Sequence, residues 1–298
     1  MTGPEFSAPT RRWMAEGRHI EAAGRRIFMF ERGSGPAVIL LHGFPTSCHD
    51  WRGVVGILSA EFRCVAFDFP GYGLSDKPVA YSYSLFQQSD VAEDVARALA
   101  ISEAHVVSHD VGQTVHAELL AREQEGRLPF RILSSTLLNG STLQDKATIT
   151  PIQRLLGSNE TLPQAMAICE NMTVNYVQSL KAIMKRPQAV SDEDAAVMEE
   201  LMFYQHGNRR LPALAGYMRE RYLHRGRWLG ALKAAAPIQL VWADGDPIAN
   251  VEMGRALSAE LPQARYTELP GLGHFLLIED PEAVAGPVLD FIRQPARP

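Results

Sequence analysis

Long apolar runs are what this sequence most clearly lacks: no stretch approaches the roughly 18 to 20 consecutive apolar residues that a membrane span needs. The segment Met1 to Arg12 mixes prolines with polar residues around no apolar centre. It reads as neither a signal peptide nor an anchor, and residues 1–12 are predicted to be disordered. Cysteine is scarce too. Cys48, Cys64 and Cys169 are odd in number, widely spaced and free of any C-x-x-C pattern. That argues against a disulfide framework or a zinc site and predicts a reducing, cytoplasmic setting. Charge of one sign is also missing: 29 Lys and Arg are interspersed with 34 Asp and Glu, for a net charge of -5. No basic face for nucleic acid or an anionic membrane is visible, and a small neutral, mainly apolar substrate suits this balance. Repeats and low-complexity segments are absent.

What is present is enough apolar material for a full core, 46% of 298 residues. Strand patterns recur at Arg26–Glu31, Ala37–Leu41, Arg63–Asp68, Ala104–Val107, Arg131–Leu138, Pro237–Trp242 and Ala264–Leu269. Helical patterns such as Ser84–Ala100 and Val251–Glu260 lie between them. Alternation of this kind predicts an α/β fold, a mostly parallel sheet with helices on both faces. The rhythm breaks between about Asn139 and Trp228, where helix-like pieces rich in Met, Leu and Ala replace the strands. The predicted organisation is therefore a core at residues 20–138 and 229–294 with a helical lid at 139–228. The lid methionines, Met166, Met172, Met184, Met198 and Met202, are expected to serve mostly in packing.

The chemistry concentrates at Ser108-His109-Asp110-Val111-Gly112, which spans a predicted strand-to-helix turn. A nucleophile elbow is strained and crowded, so it needs small residues two before and two after the nucleophile. Centring on Asp110 places Ser108 and Gly112 there; centring on Ser108 would place Val106 and Asp110 there. Asp110 is therefore the candidate nucleophile. A carboxylate attacks saturated carbon and leaves an alkyl ester, whereas acyl transfer needs a hydroxyl or thiol. Opening of an epoxide or displacement of a halide follows as the expected chemistry.

Leu41-His42-Gly43-Phe44-Pro45, Phe67-Asp68-Phe69-Pro70-Gly71-Tyr72-Gly73-Leu74-Ser75, the elbow, Asp246-Pro247 and Gly273-His274-Phe275 run in order along nearly the whole chain. Together they resemble the α/β-hydrolase fold, and within it the branch of epoxide hydrolases and haloalkane dehalogenases. The elbow, with Arg227-Trp228-Leu229-Gly230-Ala231-Leu232, also resembles the mesoderm-specific-transcript group.

The resemblance implies that His274 activates water and that Asp246 orients it, with Asp244 two residues away as a rival. Some haloalkane dehalogenases place that acid after the preceding strand, where this chain has the uncharged Asn139. The backbone N–H groups of Phe44 and Val111 would form an oxyanion hole, and His109 would support the elbow. His49, His116, His206 and His224 show no ligand spacing, so neither a metal nor a cofactor is expected. The dehalogenases commonly hold halide with donors at the positions occupied here by Val111 and Phe44, which offer no side-chain donor. Fluoroacetate dehalogenases grip a carboxylate with arginines after the nucleophile, where this chain has Val111 and Thr114, so that substrate is not expected. An epoxide needs phenols for its leaving oxygen. Tyr217 stands about where the family has its lid tyrosine, and Tyr204 and Tyr176 compete for the second place. The expected protein is an epoxide hydrolase. A haloalkane dehalogenase with an unconventional halide site, or a non-catalytic ligand-binding homologue, stands as the alternative.

Overall fold

The computed structural model describes residues 5–172 and 176–294. Its centre is an eight-stranded sheet in the order β1-β2-β4-β3-β5-β6-β7-β8. The strands are β1 (Gly17–Ala22), β2 (Arg25–Arg32), β3 (Ala37–Leu41), β4 (Arg63–Phe67), β5 (Glu103–His109), β6 (Arg131–Leu138), β7 (Ile238–Ala243) and β8 (Arg265–Leu269). The first two run antiparallel to their neighbours and the rest are parallel. Strands covered on both faces read as continuous apolar runs, and β3 and β7 are buried along their whole length.

The helices are α1 (Ala8–Glu16), α2 (Arg52–Leu58), α3 (Leu85–Ala98), α4 (Val111–Gln124), α5 (Pro151–Leu156), α6 (Leu162–Glu170), α7 (Tyr176–Lys181), α8 (Asp192–Phe203), α9 (Leu211–Leu214), α10 (Tyr217–Leu223), α11 (Arg225–Ala234), α12 (Val251–Glu260), α13 (Leu276–Glu279) and α14 (Pro281–Ile292). Residues of α3, α4, α11 and α12 pack into an apolar cluster on one side of the sheet. Those of α1, α2 and α14 pack into a second cluster on the other. Between β6 and β7 the described residues form helices and loops with no strand. The expected lid boundary at Trp228 falls inside α11, which lies along α4 and is continuous to Ala234.

The start of the chain departs from expectation. Residues 1–4 lie outside the described residues, but the rest of the segment expected to be disordered enters α1. The Ser7 side chain caps that helix by accepting from the Thr10 N–H, with a proline in the first turn, a start signal that the polar composition obscured. Trp13 then buries its ring edge-on against Phe30 at 4.9 Å and His49 at 4.8 Å, anchoring the helix. The Ser7 N–H also donates to Glu200 of α8 at 3.0 Å, tying the start of the chain to the helical insert.

Candidate active site

β5 delivers the chain to the turn at Asp110, and α4 leaves from it. Asp110 adopts φ 47° and ψ -112°, a region that costs a non-glycine residue about 1–3 kcal/mol and persists only where the surroundings impose it. Those surroundings are visible on both sides. A Cβ on Gly112 would lie 2.4 Å from the Leu41 carbonyl oxygen, so the start of α4 can approach β3 only with glycine there. A Cβ on Gly43 would lie 2.6 Å from the Asp110 Cβ, so the loop after β3 presses against the nucleophile position. Ser108, fully buried, bridges to His116 Nδ1 at 3.0 Å, and His116 Nε2 reaches Ser135 Oγ at 3.0 Å. Burial takes the His116 pKa down to about 3, so a neutral ring links the two serines beneath the turn.

Three buried groups converge above it. His274 Nδ1 lies 2.8 Å from Asp246 Oδ2, and its Nε2 lies 3.8 Å from Asp110 Oδ2. Asp246 is held from every side: its Oδ1 accepts from the N–H groups of Ile248 at 2.7 Å and Ala249 at 3.0 Å, and its Oδ2 also accepts from Asn139 Nδ2 at 2.8 Å. Asp244 instead accepts from the Gly271 N–H at 2.8 Å. Burial pulls the His274 pKa down, but the Asp246 charge and hydrogen bond, then the Asp110 charge, outweigh it and raise it to about 9. Asp246 moves the other way: burial pushes its pKa up, yet His274 and the donors around it leave it below the usual carboxylate value. Asp110 is raised, chiefly by burial, against the pull of the Arg221 and His274 charges. His109 Nε2 donates to the His274 backbone carbonyl at 2.9 Å, and burial lowers the His109 pKa to about 3. His109 thus braces the histidine loop as a neutral ring.

The two amides expected to form an oxyanion hole lie in the loop after β3 and at the start of α4. His42 Nδ1 donates to the Gly43 carbonyl at 2.9 Å while its Nε2 accepts from the Phe69 N–H at 3.1 Å, which fixes the turn leading to Phe44. Val111 opens α4, so its N–H has no acceptor within the helix.

Asp110 and His274 form part of the wall of a cavity of about 680 Å³ between the sheet and the helical insert. Apolar side chains from the insert, among them Leu156, Met172, Leu180 and Ile183, line much of the remainder. Two of the three candidate tyrosines face it. Tyr217, on α10, accepts from Gln153 Nε2 at 3.2 Å through its hydroxyl, and burial and the Asp110 charge raise its pKa to about 12. Tyr176, on α7, donates its hydroxyl to the Pro45 carbonyl at 3.1 Å.

Tyr204 does not reach the cavity, which corrects its place among the expected site residues. It follows α8 on the stripe of Val197 and Leu201, which packs into the second apolar cluster, while Met198 and Met202 belong to the first. Its ring meets Phe6 at 5.5 Å and Lys77 Nζ at 5.0 Å.

The residue that sequence reasoning missed is Arg221. It lies one helical turn after Tyr217 on α10, with its guanidinium 4.6 Å from the centre of the Tyr217 ring. Its Nε donates to Thr114 Oγ1 at 2.8 Å, its Nη2 to the Asp110 carbonyl at 3.0 Å, and Nη2 lies 3.7 Å from Asp110 Oδ1. The i,i+4 spacing was the available signal: a tyrosine facing the cavity brings Arg221 with it.

The sheet order, the turn at the end of β5 and the position of the histidine loop define an α/β hydrolase architecture. Residues 38–286 match the Alpha/beta hydrolase family, to which the chain belongs. The putative hydrolase LipZ of Mycobacterium tuberculosis is 35% identical over 98% of this chain and 99% of its own length. The mesoderm-specific transcript protein of mouse is 30% identical over 97% of this chain and 89% of its own. Among solved structures, Cfl2 from Burkholderia cenocepacia superposes with a TM-score of 0.80 at 25% identity, covering 93% of this chain and 95% of its own. A haloalkane dehalogenase and an epoxide hydrolase share the fold at lower identity. Among the described residues no helix is long and apolar enough to cross a membrane.

Proposed function

We propose that this hydrolase opens epoxides to vicinal diols through an ester on Asp110. The observation that carries the proposal is a strained carboxylate at the elbow, 3.8 Å from His274 Nε2, in a cavity that two phenols also line. A serine hydrolase would need a hydroxyl at that turn; a carboxylate suits attack on saturated carbon.

The proton inventory fits an epoxide. With its pKa near 9, His274 enters the cycle as an imidazolium. Asp110 attacks a ring carbon, the C–O bond breaks, and the oxygen takes a proton from Tyr217, whose own hydroxyl proton is not committed in the bond to Gln153. Conversion of Asp110 to a neutral ester removes one of the charges that hold the His274 pKa up. The histidine then gives up its proton, which restores Tyr217. Neutral His274, oriented by Asp246, takes a proton from water as the water attacks the ester carbonyl, and the N–H groups of Phe44 and Val111 hold the oxyanion. Collapse releases the diol and returns Asp110 as a carboxylate and His274 as a cation. The helical insert serves as the lid of this site, and Tyr176 is the second phenol, its hydroxyl turning from the Pro45 carbonyl to the leaving oxygen.

Incubation with a panel of epoxides and haloalkanes, following diol and halide in parallel, tests the reading. Diol release in wild type is expected, with His274→Gln trapping protein heavier by the full epoxide mass at Asp110. Halide release without diol formation would replace the epoxide reading with the dehalogenase one. Binding without turnover of either would leave a ligand receptor.

A further inference from the structure

A buried guanidinium beside a carboxylate nucleophile has an electrostatic cost: it stabilises the resting carboxylate and so opposes its attack. Among the described residues, Asp110 holds the one carboxylate within 4 Å of Arg221. The Arg221 side chain is only 3% exposed, and its Nη1 makes no hydrogen bond among the described residues. The charged side chains that line the cavity are Asp110, Arg221 and His274. Once Asp110 becomes a neutral ester, Arg221 is left without its counter-ion, and an uncompensated buried charge is strongly unfavourable. A substrate that carries its own anion removes that penalty.

We infer that Arg221 forms the anion subsite of this cavity and that the preferred substrate carries a carboxylate close to the carbon that Asp110 attacks, with an apolar remainder. The substrate part of this inference rests on the proposed role of Asp110; the carboxylate subsite does not. A guanidinium presents paired N–H donors that match a carboxylate. Here Thr114 fixes one edge through Nε, and the Tyr217 ring covers one face. Nη1 is left to reach a ligand. The 3.7 Å between Nη2 and Asp110 Oδ1 sets the spacing: a carboxylate on Arg221 would sit within one or two bonds of a carbon in line with Asp110. The apolar wall supplied by Leu156, Met172, Leu180 and Ile183 would receive the rest. Arginines directly after the nucleophile are absent, so a carboxylate subsite was not expected from the sequence. α10 supplies the guanidinium from across the cavity, and it docks on Thr114.

Calorimetry at pH 7 with 3-phenylpropanoate and 3-phenylpropanamide tests the subsite without turnover. A hydrogen bond to a charged group predicts that wild type binds the carboxylate about 10- to 100-fold more tightly than the amide. Asp110→Asn should widen that preference by removing the like charge. Arg221→Met should abolish it, and Arg221→Lys should retain part of it. Equal affinities in wild type, or a preference that survives Arg221→Met, would overturn the subsite. Turnover of 3-phenylglycidate against 3-phenylglycidol then separates the two ideas. A higher kcat for the glycidate, lost in Arg221→Met, supports both. Carboxylate binding through Arg221 with neither epoxide forming an adduct refutes the role of Asp110 alone. Equal turnover of both epoxides in wild type refutes the carboxylate preference alone. A purely structural role for Arg221 would lower both substrates together in Arg221→Met, and that result too would overturn the inference.

Discussion

Replacing Asp246 by asparagine should stop the cycle at the ester, for a reason visible in the hydrogen bonds. Both Asp246 oxygens act only as acceptors: Oδ1 faces two backbone N–H groups, and Oδ2 faces Asn139 Nδ2 and His274 Nδ1. An asparagine must place its NH₂ on one side. Against Ile248 and Ala249 it would meet two backbone donors. Against His274 it would meet Asn139 Nδ2, which cannot turn away without giving up the bond from the Ala243 N–H to Asn139 Oδ1 at 2.8 Å. The second placement conflicts with fewer donors, at a cost of about 1–3 kcal/mol for the unmet donor. It also donates to His274 Nδ1 and so puts the imidazole proton on Nε2, the atom that must accept from water. A wrong tautomer at a catalytic histidine costs about 10⁴-fold in rate. Loss of the Asp246 charge lowers the His274 pKa in addition.

In the proposed cycle alkylation does not use His274 as a base, so rapid-quench mass spectrometry of Asp246→Asn should show an ester forming in a burst and decaying slowly. Thermal melting should show a loss of stability of about 1–3 kcal/mol with the fold retained. Ester hydrolysis at the wild-type rate in single turnover would refute the assignment of Asp246 as the orienting acid.

The same pair should also set a pH window for stability. The His274 pKa rises from 6.5 to about 9 on folding, worth on the order of 3 kcal/mol; that contribution is complete below pH 6.5 and lost as the pH rises through about 9. Asp246 is depressed, so its contribution is present above its unfolded value of 3.8 and lost as pH falls through its lower folded value. Denaturant titration of wild type against His274→Gln between pH 6 and 10 should show their difference shrinking across that range, and a constant difference would refute it. Tyr217→Phe should slow epoxide opening by about 10- to 1,000-fold. Tyr204→Phe should leave pre-steady-state alkylation unchanged, whereas a slowing equal to that of Tyr217→Phe would contradict its position beside Phe6. Glu118 accepts from Arg122, Arg227 and the Trp228 indole while only 1% exposed; Glu118→Gln leaves Arg122 on Asp90 and Glu93 and Arg227 on Glu125, so it loses charge-assisted hydrogen bonds and should cost about 2 kcal/mol in chemical denaturation. A cost below about 1 kcal/mol would show that the network is relaxed by solvent.

The parts of the fold that sequence made legible are those where one physical constraint acts alone. β3 and β7 are covered on both faces and read as near-continuous apolar runs. The elbow was legible because steric crowding around Asp110 tolerates only small residues at Ser108 and Gly112. β1 was not, since Gly17–Ala22 is an edge strand with only Ala22 buried, which leaves no apolar alternation to detect. Tyr204 and Arg221 show the limit from the other side. Where the chain after α8 lies relative to the cavity depends on how the insert packs, so Tyr204 and Tyr176 could not be ranked for the second place. Arg221 becomes part of the site only because α10 crosses above Thr114, a contact between residues 107 positions apart.

The two positions that can hold the orienting acid show how topology constrains chemistry here. β6 and β7 pair in parallel, with Leu138 opposite Val241, so the segments after both strands emerge on the same edge of the sheet, beside each other and beside the histidine loop. A carboxylate after either strand is within reach of His274, but one after each would set two like charges a hydrogen bond apart, and one would have to take a proton. Asn139 occupies the first position in an uncommon backbone conformation, φ 37°. Its amide gives the acid at the second position a donor in place of a rival charge. The same side chain accepts from the Ala243 N–H, at the end of β7, three residues before Asp246. The uncharged residue that favoured the later acid position in the sequence thus donates to the carboxylate at that position, in place of a competing charge.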